Sequence, residues 1–112
     1  GFVVITCPDL QSVCELVAQD MLLEPAYTSP AGPITPLDIL YGHRRSLEQG
    51  NFYMAHKCGF TLKVLISVLQ AHGFSSVAGK RREKPFFDLF VIAFKSKITE
   101  DQLRSAASQH FP

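Results

Sequence analysis

Between Tyr41 and Phe60 the chain reads YGHRRSLEQGNFYMAHKCGF, and most of its chemically capable side chains fall here. His43 and His56 are the residues of first choice for moving a proton near neutral pH. Arg44 and Arg45 could hold an anionic group, and Tyr41 and Tyr53 could orient a bound molecule through their hydroxyls. His43, His56 and Cys58 could in principle hold a metal, but their spacing matches no common zinc pattern, so no metal is expected. Cys58 with His56 could make a nucleophile pair, although an activated thiolate needs more than adjacency. The plainer reading stands beside each of these. A histidine taken alone is more often structural than catalytic, the arginines read as a solvated helix face, and Tyr41 reads as a core residue with its hydroxyl bonded.

These residues need a scaffold, and the flanking sequence supplies one. The 112 residues suit one domain, 46% of them are hydrophobic, and nine phenylalanines give bulk for a core. A net charge of +1 argues against a general polyanion binder. No apolar run approaches the roughly 20 residues of a membrane span. The three cysteines are odd in number and form no CxxC, which fits reduced thiols in a cytoplasmic protein. The opening GFVVITCP has no charged lead-in and begins directly on a strand, as expected of a piece of a longer protein.

Phe2 to Thr6 is apolar on both faces, the pattern of a strand covered on each side. Pro8 ends it, and Asp9 caps a helix whose Leu10, Val13, Cys14 and Val17 share one stripe. Residues 24 to 36 carry four prolines and read as an irregular loop. Thr35 and Pro36 then start a helix expected to run to about Gln49, with Gly50 as its stop. Thr61 starts the clearest helix, with Phe60 stapled onto Leu65, and Gly73 ends it. Ser75 to Arg82 reads as a weaker strand. Phe86 to Lys95 reads as a strand apolar on both faces apart from Asp88, so it belongs inside a sheet. Asp88 is expected to pair with Arg81 or Arg82, and the run KRREK (Lys80 to Lys84) reads as a solvated turn. Thr99 with Gln102 forms a capping box for a last helix. This order is α/β with a mixed sheet.

With these words in this order, the chain resembles the C-terminal half of a class I S-adenosylmethionine-dependent methyltransferase. The residues that carry the resemblance are Gly1 with FVVIT and Pro8-Asp9, the helix from Phe60-Thr61 to Gly73-Phe74, and the closing hairpin whose second strand is Phe86 to Phe94. The family has a three-layer Rossmann-like fold with seven strands ordered 3-2-1-4-5-7-6, the seventh antiparallel. The resemblance therefore implies that Phe2 to Thr6, Phe86 to Phe94 and Ser75 to Arg82 are the strands equivalent to 5-7-6. It implies one C-terminal subdomain over residues 1–112, with residues 21–59 as the substrate-side cap. It places His56 and His43 as candidate bases, and Tyr41, Arg44, Arg45 and Tyr53 as candidate binders of a small-molecule acceptor.

The family's glycine-rich loop and ribose-binding acid belong to the other half. None of Gly1, Gly32, Gly42, Gly50, Gly59, Gly73 and Gly79 forms a GxG. The resemblance thus implies S-adenosylmethionine as cofactor of the whole protein and an inactive isolated chain. It also leaves one edge of Phe2 to Thr6 without its fourth-strand neighbour, so a homodimer or swapped assembly through that edge is expected. Nucleic acid is not an expected partner, since the basic run lacks interleaved aromatics. Two rivals remain: a small protein- or nucleic-acid-binding domain, and a degenerate methyltransferase kept for partner binding.

Overall fold

Asp88–Phe94 is the most buried stretch of the molecule, with Leu89, Val91, Ile92 and Ala93 all at 0% exposure. It forms strand β5, the middle of a three-stranded sheet in a computed structural model that describes all 112 residues. β1 (Phe2–Pro8) lies on one side of it and β4 (Ser76–Arg82) on the other, both antiparallel to it. β5 is apolar on both faces because helices pack on both sides of the sheet. Burying each of its larger aliphatic side chains stabilises the fold by about 1.5–3 kcal/mol. The sheet is antiparallel throughout, not mixed as expected: β1 and β4 share a direction, but β5 separates them.

Five helices and a small hairpin complete this α/β architecture. α1 (Leu10–Ala18) follows β1, and α4 (Leu62–Ala71) precedes β4. Leu65 and Leu69 of α4 pack on Leu89, Val91 and Ala93, with Val3, Ile5 and Cys7 of β1 bordering the same cluster. Gly79 permits this approach, because a Cβ there would collide with Leu62 of α4. The opposite face of the sheet carries α5 (Glu100–His110). There Phe90 meets Phe111, and Phe2 meets both Phe94 and His110. β1 is an edge strand whose far side pairs with nothing. Its Phe2 and Val4 remain 49% and 37% exposed, so it is covered on one face and not on both.

Local signals start each long helix. Asp9, Thr35, Thr61 and Thr99 occupy the N-cap positions and accept first-turn N–H groups through their side chains. Two expectations change. The proline-rich stretch contains a hairpin, β2 (Tyr27–Ser29) with β3 (Gly32–Ile34), rather than an irregular loop. Its turn is closed by the Ser29 hydroxyl, which accepts the Ala31 N–H and donates to the Gly32 carbonyl. The expected single helix from Pro36 to Gln49 is two: α2 (Pro36–Tyr41) and α3 (Arg44–Glu48). The break is at Gly42, whose φ of +105° lies outside the helical region. The hairpin and α2 pack on α1 through Val13, Ile34, Ile39 and Phe87, a second core that carries the cap.

Candidate functional site at the carboxyl end of β1

β1 ends at Cys7 and Pro8, and the chain then turns inward. The Asp9 N–H donates to the Phe87 carbonyl at 2.8 Å, and the Leu10 N–H to the Phe60 carbonyl at 3.1 Å. Asp9 also pairs with Phe60 in a parallel bridge. Two hollows flank this strand end. One, of about 170 Å³, is lined by Cys7, Pro8, Leu10, Ile39, Leu40, His56, Cys58, Gly59 and Phe60. The other, of about 260 Å³, is lined by Thr6, Cys7, Pro8, Tyr27, Ile39, Phe86, Phe87 and Asp88. Cys7, Pro8 and Ile39 belong to both, so the hollows share a wall.

His56 lines the smaller hollow and is itself exposed. Its Nδ1 lies 2.6 Å from the Ile39 carbonyl oxygen, and its backbone N–H donates to the Tyr41 carbonyl at 3.2 Å. A carbonyl can only accept, so Nδ1 carries the proton. When the ring is neutral, Nε2 is the unprotonated nitrogen, and it has no hydrogen-bond partner in the chain. The segment that delivers His56, a single 3₁₀ turn at Phe52–Met54, lies directly over Gly42. Any Cβ at Gly42 would collide with the Met54 carbonyl oxygen.

The other expected site residues lie elsewhere. His43 is the N-cap residue of α3, its Nδ1 2.8 Å from the Ser46 hydroxyl. Arg44 donates its Nε to the Gly42 carbonyl at 3.1 Å and its backbone N–H to Asp38 at 2.8 Å. Arg45 is exposed in the last turn of α3. Tyr41 is 59% and Tyr53 82% exposed, so Tyr41 is not the core residue its place on the apolar stripe suggests. Of the six, only His56 lines the hollow at the strand end.

Ionisation follows the packing. Burial, then the charges of Asp9 and Asp88, push the Cys7 thiol up, so it stays protonated. Burial, then Asp38 and Asp88, push the Tyr27 phenol up as well. Burial would raise Asp38, but hydrogen bonds from the Arg44 and Thr35 N–H groups and the Thr35 hydroxyl, with the nearby His43, hold its carboxyl below the usual range.

Two arginines of the basic run are not free. Arg82 makes a two-pronged pair with Asp88 at 2.6 and 2.7 Å, as the hairpin register predicts. Arg81 reaches the fully buried Asp9, its Nε 2.7 Å from Oδ2, and donates to the Ser12 hydroxyl at 2.9 Å. Reading the run as a solvated turn misses this, because Asp9 is 72 positions away and nothing local announces the partner.

No group of three or more His, Cys, Asp or Glu side chains is placed to hold a metal ion. The residues also do not fit a nucleoside-bearing sulfonium cofactor. The strand-to-helix turn after β1 offers no glycine cradle, since the Asp9 carboxylate already takes the Gln11 N–H and lies beneath Arg81. No protein-family model matches the chain, and neither the curated proteins nor the solved structures contain a match.

Proposed function

We propose that these residues form the C-terminal half of a class I S-adenosylmethionine-dependent methyltransferase, acting in the cytoplasm on a small-molecule acceptor. The observation that carries this reading is the strand order: β5 lies antiparallel between β1 and β4, and the far edge of β1 is open. Under the proposal these strands are equivalent to strands 5, 7 and 6 of the family sheet, and a fourth strand continues the sheet past β1. The cofactor is then held by chain outside these 112 residues. The role of the present residues is to close one side of the acceptor site. His56 accepts a proton at Nε2, Ile39 holds the imidazole in that tautomer, and Leu10, Leu40 and Phe60 form the apolar wall beside it.

The same open edge supports a homodimer of the isolated chain through β1. A second reading, a non-enzymatic interaction domain, is favoured by the exposed aromatic side chains of Tyr41, Phe52 and Tyr53. Methyl-transfer assays separate the two, using the protein translated with the coding sequence that precedes Gly1. The enzyme reading expects methylation of an acceptor, lost in His56→Gln while the fold is kept. A protein that binds no cofactor supports the degenerate methyltransferase where the preceding coding sequence carries a methyltransferase half without its glycine loop or ribose-binding acid, and the interaction domain otherwise.

A further inference from the structure

We propose that the hollow beside His56 is a binding site for one small neutral ring bearing an acidic hydroxyl, a phenol or hydroxylated heteroaromatic, with the hydroxyl donated to His56 Nε2. Three observations lead there. The first is size: the hollow is about 170 Å³, and an apolar cavity of about 150 Å³ holds benzene. One ring fits, with the exposed His56, Cys58 and Gly59 leaving it partly open to water. The second is the wall. Leu10, Ile39, Leu40 and Phe60 are apolar, and the thiols of Cys7 and Cys58 are soft groups that favour contact with an aromatic ring. No lysine, arginine or carboxylate lines it, so a charged acid or amine would find no side chain of fixed opposite charge there.

The third observation is the single polar anchor. The Ile39 carbonyl takes the Nδ1 proton, so in the neutral ring Nε2 is an acceptor with no partner in the chain. The complementary ligand donates one hydrogen bond and is otherwise apolar. A phenolic hydroxyl meets that need better than an alkyl alcohol, because it is the more acidic donor. The inference rests on the methyltransferase reading only for the later fate of the hydroxyl, which becomes the acceptor atom. Binding itself needs no cofactor.

The test is NMR titration of the 112-residue chain, without cofactor, with phenol, anisole, benzene and benzoate. The imidazole nitrogens and the Leu40 and Ile39 methyl groups serve as reporters. Phenol is expected to move His56 Nε2 and these methyls together. It should bind about tenfold more tightly than anisole, the ratio that one hydrogen bond of ordinary strength supplies. His56→Phe should bring phenol down to the affinity of benzene. If that variant does not fold, the phenol-to-anisole ratio in the unaltered chain decides alone. Equal binding of phenol and anisole, a preference for benzoate, or phenol shifts that map away from His56 would each overturn the assignment. Since no cofactor is present, failure here leaves the methyltransferase reading standing, and a protein that binds no cofactor leaves the phenol site standing.

Discussion

The side chains that hold the carboxyl end of β1 in shape are charged as well as apolar. Asp9 is fully buried; it accepts hydrogen bonds from the Gln11 N–H, the Ser12 hydroxyl and Arg81, and Arg81 is its one cationic partner. Removing Arg81 leaves a buried carboxylate without its counter-charge, so Arg81→Met should cost about 3 kcal/mol, measured by urea unfolding. Arg82→Met should cost clearly less, because its partner Asp88 is not fully buried. Asp38 gives a pH-dependent test. Its carboxyl is held below the usual range, so the charged form contributes stability that is fully present above the unfolded value and is lost as pH falls through the folded one. Unfolding midpoints should therefore decline from about pH 5 downward in the unaltered chain. Asp38→Asn should start about 1 kcal/mol less stable at neutral pH and show a shallower decline.

The elements carry the second set of lessons. Helix starts were legible because capping is local: Asp9, Thr35, Thr61 and Thr99 each act on N–H groups within three residues. The interior place of β5 was legible in its long run apolar on both faces, but the same pattern at Phe2 to Thr6 belongs to an edge strand with Phe2 and Val4 open. The β2–β3 hairpin was not, since Pro25, Pro30 and Pro33 obscure the alternation that Tyr27 and Ile34 would otherwise show. Nor was the break between α2 and α3, because Gly42 acts through a contact with Met54 across the cap. The site was half legible. His56 could be named from its type, but its tautomer depends on the Ile39 carbonyl 17 positions away. Gly42→Ala tests this element-level account. It combines a strained φ with a collision, so it should destabilise by about 2 kcal/mol or more. It should also shift the His56 ring signals in NMR spectra, while Gly50→Ala, with open space around it, leaves those signals in place.

At the scale of the whole molecule, β1 is where the account is most exposed. An edge strand with Phe2 and Val4 open to water is a template for pairing. Light scattering should show the isolated chain associating as concentration rises, and Val4→Lys should return it to a monomer without lowering its unfolding midpoint by more than a modest amount. A strict monomer at high concentration would count against the open edge. The most direct test of the central claim, that this sheet is one side of a larger cofactor-binding sheet, is calorimetric titration with S-adenosylmethionine. The account predicts no heat of binding to the 112-residue chain and saturable binding to the protein that carries the preceding coding sequence. Tight binding to the 112 residues alone, or none to the longer protein, would contradict it.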